Sequence, residues 1–127
     1  MSAPTKPAAT ILVVDDDASI LRAMHRLLIS VGFQVLTFDS SEALLAAELP
    51  SGDLCLLTDI YLPGANGTEL SRALNDSGRK VPVILMTART DGHTRKLADT
   101  VAAVATLYKP FDEDALLEAI NDALGSS

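Results

Sequence analysis

Ile11-Leu12-Val13-Val14-Asp15-Asp16-Asp17 sets a short apolar run, rich in β-branched residues, directly against three acids. Four apolar residues are too few for a buried helix. They suit a strand of a parallel sheet covered by helices on both faces, where near-continuous apolar runs replace alternation. Similar segments recur at Gln34–Phe38, Leu54–Thr58, Val83–Thr87 and Val104–Tyr108. Helical patterns fill the gaps. Ile20, Met24, Leu27, Leu28 and Val31 recur at three-four spacing, and Gly32 stands where a left-handed residue would end that helix. A second helix is predicted to start near Asp39 to Ser41 and run through Ala43, Leu44 and Ala47 to Pro50. Asn66 and Glu69 have capping-box spacing ahead of Leu70, Ala73 and Leu74. The stretch from Asp91 to Val101 is the least apolar, with Leu97, Ala98 and Val101 to bury. Asp112, Glu113 and Asp114 suit the positive end of a last helix whose stripe is Leu116, Leu117, Ile120 and Leu124.

Five strands thus alternate with five helices. Right-handed crossovers turn such an alternation into an α/β fold with a doubly wound, five-stranded parallel sheet. The common order for it is 2-1-3-4-5, the flavodoxin-like arrangement, with a ligand crevice beyond the carboxyl ends of strands 1 and 3. The expected organisation is a loose lead-in over 1–10, one folded unit over 11–124 and a short tail at 125–127.

Composition sets the outer limits. The chain has 127 residues, 48 % apolar and 21 % charged, which is one globular domain rather than a disordered segment. Lys and Arg number 10 against 17 Asp and Glu, a net charge of −7. That balance argues against binding nucleic acid or anionic lipid through overall charge. Trp is absent and only three Phe and two Tyr are present, so stacking platforms for single strands are scarce. The single Cys55 makes no internal disulfide and offers no metal-ligand spacing. No apolar run reaches membrane-spanning length and no signal-peptide core opens the chain, so a cytoplasmic protein is expected.

The predicted topology then asks which residues end the strands. Strand 1 runs into Asp15 and Asp16, strand 3 into Asp59, strand 4 ends at Thr87, and Lys109 follows strand 5. Two bare carboxylates about 4 Å apart repel by roughly 4 kcal/mol at an effective dielectric near 20. A proton or cation must relieve three of them. Oxygen-only donors without a nearby His or Cys pair favour a hard ion, Mg²⁺ before Ca²⁺. Three acids, a hydroxyl and an ammonium suit a phosphoryl group carried on an aspartate nucleophile, with metal and lysine offsetting charge on its oxygens.

In order along the chain, Asp15-Asp16, Asp59 with Leu62-Pro63-Gly64 and Asn66-Gly67, Thr87-Ala88, and Lys109-Pro110-Phe111 resemble the receiver domain of two-component response regulators, in its stand-alone form. The resemblance covers about Ile11 to Leu124. It implies that Asp59 accepts a phosphoryl group from a sensor histidine kinase or a histidine phosphotransfer protein. It further implies that Asp16, Asp59 and the backbone carbonyl of Tyr61 hold Mg²⁺, that Asp15 acts through water, and that Thr87 and Lys109 contact the phosphoryl oxygens. A cis bond between Lys109 and Pro110 is implied as well. Thr106 departs from the pattern, since receivers usually carry Tyr or Phe three residues before the lysine; Tyr108 is displaced by two. That departure moves the expected signal away from an aromatic switch and toward backbone and helix movement.

Other residues have plainer readings. Asp17 caps the helix that follows, His25 and His93 lie on solvated helix faces, Cys55 is a small core residue, and Arg89 is an exposed arginine. At the level of function, the expected partners are the phosphodonor and a downstream protein target, with a homodimer compatible and neither nucleic acid nor membrane engaged through this domain. No turnover enzyme is expected beyond self-catalysed phosphorylation and dephosphorylation. One alternative is a degenerate receiver serving as a docking surface or phosphate sink. Another is an aspartate-nucleophile phosphohydrolase, which would want a second acid two residues after the nucleophile, where Tyr61 stands. The chain stops at Gly125-Ser126-Ser127, so no output domain is expected, although the loop Leu62–Gly67 looks like receivers joined to helix-turn-helix domains.

Overall fold

A computed structural model describes residues 9–125. The alternation predicted above is present as β1 (Thr10–Val14), α1 (Ala18–Ser30), β2 (Gln34–Phe38), α2 (Ser41–Ala46), β3 (Leu54–Asp59), α3 (Gly67–Asp76), β4 (Val83–Thr87), α4 (Gly92–Asp99), β5 (Ala105–Tyr108) and α5 (Glu113–Ala123). All five strands are parallel, in the order β2-β1-β3-β4-β5. Of the expected lead-in, residues 1–8 lie outside the described residues, and Thr10 already belongs to β1. Of the expected tail, residues 126 and 127 lie outside them.

Side chains alternate along β1, and the alternation divides the core in two. Ile11 and Val13 join Cys55, Leu57, Ile84 and Met86 beneath α1 and α5. Leu12 and Val14 join Leu54, Leu56, Val83 and Leu85 beneath α2, α3 and α4. Full burial of one such aliphatic side chain is worth about 1.5–3 kcal/mol, so the central strands carry much of the stability. The edge strands differ: in β2 only Val35 is buried, and in β5 only Leu107. Cys55 is fully buried, and desolvation pushes its thiol up to about 12. The folded protein should therefore resist a thiol reagent at pH 8, whereas the denatured chain labels at once; rapid labelling of the folded form would contradict this packing.

Most helix ends follow from their caps. Asp17 accepts from the Ser19 and Ile20 amides, Ser40 from Ala43, Asp91 from Thr94 and Asp112 from Ala115. Asn66 and Glu69 make the full capping box. Gly32 adopts φ 101°, the left-handed stop expected after α1. Two helices are shorter than predicted. α4 ends at Asp99 instead of Val101, and α2 ends at Ala46 rather than reaching Pro50. At the end of α2 the chain turns extended at Ala47, Leu49 packs against the core from outside the helix, and Arg79 binds the carbonyls of Pro50 and Gly52 at 2.8 Å each. A residue before proline avoids the helical region, which agrees with this early stop.

Candidate functional site

Strand register assembles the site. Val14 pairs with Thr58, so Asp15 and Asp59, each one residue further on, emerge side by side. Asp59 pairs with Met86, and Thr87 with Tyr108, which brings the strand-4 terminus and Lys109 to the same edge. This is the carboxyl-end crevice of the topology, at the point where successive connections leave β1 and β3 in opposite directions.

Local turns then aim each carboxylate. Asp15 is 1 % exposed, and its Oδ1 accepts from the Asp17 amide at 2.9 Å. Asp59 Oδ1 accepts from the Tyr61 amide at 3.0 Å. Both are aspartates bonded to the backbone two residues on, a turn this side chain favours. Their other oxygens are left for Lys109, whose Nζ lies 2.8 Å from Asp15 Oδ2 and 2.8 Å from Asp59 Oδ2. The Lys109 amide donates to the Thr87 carbonyl at 2.8 Å, and the peptide bond from Lys109 to Pro110 is cis, as the resemblance implied.

Charge accounts for the lysine's position. Burial by itself lowers the Lys109 pKa, but the hydrogen bonds it donates to Asp15 and Asp59 and the charges of both acids more than offset this and hold it above its ordinary value. One ammonium thus answers two carboxylates. Asp16, exposed, completes a trio in which one oxygen each from Asp15, Asp16 and Asp59 lies within 4.8 Å of the others. Three carboxylates and one ammonium leave an excess of negative charge, and with no nitrogen or sulfur donor in the trio the set fits a hard divalent cation.

Thr87 is fully buried, and its hydroxyl is engaged locally: it accepts from the Arg89 amide at 3.0 Å and makes no hydrogen bond to the carboxylates. The expected solvated positions of His25 and His93 are found, and Arg89 is exposed. Tyr108, paired with Thr87 at the end of β5, is 46 % exposed, and Thr106 is half-buried.

Several supporting residues had no signal in the sequence pattern. Ser41, fully buried, donates to the Ala65 carbonyl at 2.8 Å and ties α2 to the loop after Asp59. Glu42 receives the Ala65 amide at 3.4 Å. Gly67 lies against the back of the acceptor: a Cβ there would stand 2.3 Å from the Asp59 carbonyl oxygen. Tyr61, marked in the sequence by its backbone carbonyl and by standing where a second acid would be needed, places its hydroxyl 2.7 Å from Thr94 Oγ1, and the Arg89 guanidinium carbon lies 4.4 Å from the centre of its ring. Sequence separation explains the omissions, since Ser41 and Ala65 are 24 residues apart and Tyr61 and Thr94 are 33 apart.

Known proteins resemble this chain in sequence and fold. The family profile described as the response regulator receiver domain matches residues 11–121. The transcriptional regulatory protein TdiR of Thauera aromatica is 34 % identical over 120 residues, covering 94 % of this chain and 53 % of its own length. The transcriptional regulatory protein FixJ of Azorhizobium caulinodans is 36 % identical over 115 residues, covering 91 % and 54 %. The chain therefore spans about half the length of these curated relatives. Among solved structures, FixJ-N superposes with a TM-score of 0.83 at 30 % identity, covering 95 % of this chain and 97 % of the other. A response regulator receiver protein from Burkholderia phymatum gives 0.78 at 38 % identity, covering 94 % and 97 %. With the sheet order, the acidic crevice and its bridging lysine in place, this chain belongs to the response regulator receiver domain family.

Proposed function

We propose that the chain is a phosphoacceptor module that receives a phosphoryl group on Asp59 from a phosphohistidine, carried by a sensor histidine kinase or a phosphotransfer protein, and thereby changes its fit to a downstream protein. The observation that carries the reading is Lys109 Nζ at 2.8 Å from both Asp15 and Asp59, beside a third acid. The two acids hold this ammonium at the mouth of the acidic cluster, where it can offset charge on an incoming phosphoryl group.

Asp16, Asp59 and the backbone carbonyl of Tyr61 would hold Mg²⁺, with Asp15 one water further out; when bound, the ion offsets charge on the phosphoryl oxygens. In the transfer, an Asp59 carboxylate oxygen forms a bond to phosphorus, the P–N bond breaks, and its electron pair returns to the imidazole. Lys109 stays cationic and turns from the carboxylates toward a phosphoryl oxygen. Thr87 turns its hydroxyl hydrogen from the Arg89 carbonyl, 3.4 Å away, to the same group, drawing its oxygen off the Arg89 amide as it moves. Water later cleaves the P–O bond and restores the carboxylate.

The recipient of the signal is a partner protein, a second copy, or a domain joined to this one, as the half-length match to transcriptional regulators suggests. The donor kinases of such systems meet their receivers inside the cell, so we place the module in the cytoplasm. Among the described residues no helix is long and apolar enough to cross a membrane. A phosphohydrolase is disfavoured by Tyr61, whose hydroxyl is committed to Thr94 where a second acid would be needed. A docking-only module is disfavoured by the complete set of Asp15, Asp16, Asp59, Thr87 and Lys109.

The test is incubation with acetyl phosphate, with and without Mg²⁺, read by intact mass. One phosphoryl adduct is expected with Mg²⁺, little without it, and none in Asp59→Asn. An adduct on Asp59→Asn, or none on the native chain with Mg²⁺, would overturn the assignment.

A further inference from the structure

Four side chains between β3 and α4 form a closed circuit. Arg89 reaches Asp91 Oδ2 through Nε at 3.0 Å and Nη2 at 2.8 Å. Asp91 Oδ1 accepts from both the amide and the hydroxyl of Thr94 at 2.8 Å. Tyr61 Oη lies 2.7 Å from Thr94 Oγ1, and the ring of Tyr61 lies under the Arg89 guanidinium. Bonds from the backbone and then the side chain of Thr94, followed by one from Arg89, hold Asp91 down to about 2, so it is an acceptor at any working pH. The single hydroxyl hydrogen of Thr94 therefore goes to Asp91, and Tyr61 must donate to Thr94.

The circuit has two anchors, and both lie in the acceptor site. The Tyr61 amide donates to Asp59 Oδ1, and the Arg89 amide donates to Thr87 Oγ1. Those two oxygens belong to the residues that the phosphoacceptor reading, on which this inference rests, requires to change partners. The element at the far end is weakly held: Thr94 is the one buried residue of α4. Elements with few buried contacts shift at the smallest cost.

We propose that Tyr61, Arg89, Asp91 and Thr94 act as a clasp that holds the first turn of α4 against the loop after β3, and that phosphorylation of Asp59 opens it by withdrawing both anchors. Such a route needs no aromatic ring on β5, where this chain carries Thr106. Opening would free the amides of residues 94–96 and expose the Tyr61 ring together with the polar start of α4, changing the surface a partner meets.

Hydrogen exchange of the full chain tests the clasp, with intact mass run on the same samples. On the native protein, acetyl phosphate and Mg²⁺ should accelerate exchange in the peptide covering 92–98 by about tenfold, the scale of losing one or two net hydrogen bonds. Thr94→Val keeps shape but breaks the circuit; its unphosphorylated α4 should already exchange at the faster rate, with less than about a twofold further gain. Arg89→Met, at an exposed position, should behave the same way, so a folding defect in Thr94→Val does not decide the matter. A full adduct with unchanged exchange in the native chain, or a full increment retained in Arg89→Met, overturns the clasp alone. Absence of the adduct overturns the phosphoacceptor reading and the clasp with it.

Discussion

Lys109→Met should lose about 3 kcal/mol of stability in the absence of divalent cations, with phosphoryl uptake slowed about 100-fold. The stability loss follows from what the lysine leaves behind. Asp15 is 1 % exposed and the Asp59 side chain 14 %, and Lys109 is the cation that both touch. Removing one partner of a buried pair costs about 3–5 kcal/mol because the remaining charge is uncompensated. The lower end applies here, since the Lys109 side chain is itself 19 % exposed and water can relax around the opened site. Added Mg²⁺ should restore much of the loss, because a divalent ion offsets the same two carboxylates. The slower uptake has a separate origin, the missing charge on the phosphoryl oxygens. Urea unfolding with chelator and with Mg²⁺, beside a mass time course, measures both. Native-like stability with chelator would mean that the lysine does not neutralise the cluster.

Gly67→Ala should be nearly as damaging, although the residue carries no chemistry. Its Cβ would meet the Asp59 carbonyl oxygen at 2.3 Å and Thr58 Cγ2 at 3.0 Å. Neither side can yield easily. Gly67 donates to the Ile60 carbonyl at 2.8 Å and opens α3 beneath the Asn66 cap, while Asp59 ends a strand paired on both sides. Overpacking of this kind costs about 3 kcal/mol, and relief by moving the Asp59 backbone would misplace the acceptor. Gly92→Ala is the control, because a Cβ there meets nothing within 4 Å; its effect should stay within about 0.5 kcal/mol. Thermal unfolding of both variants, with phosphoryl uptake of Gly67→Ala, separates the steric clash from general loss of glycine.

The contrast between these two residues shows what could be read from the chain. Lys109 was legible because its chemistry and its position at a strand end pointed the same way, and strand ends were marked by short β-branched runs bounded by polar residues. Strict alternation and right-handed crossovers gave the doubly wound class, and the sheet order is the common one for five strands of that class. Asp17, Asn66 and Asp112 were legible as caps because a cap is a local bond between near neighbours. The close approach at Gly67 was not, because no periodicity reports the distance between a helix start and the strand before it. The early end of α2 was hidden for a similar reason: Leu49 continues the helical pattern, but Arg79, far along the chain, captures the carbonyls that follow. The partnership of Tyr61 with Thr94 likewise depends on tertiary placement alone.

The central physical claim is that folding gathers Asp15, Asp16 and Asp59 into one pocket whose residual charge calls for a divalent ion. Calorimetric titration of the native chain with Mg²⁺ measures it most directly. One saturable site is expected, lost in Asp16→Asn and in Asp59→Asn, and retained in Asp99→Asn, an exposed acid outside the pocket. No saturable binding to the native chain, or binding that survives both pocket substitutions, would contradict the account.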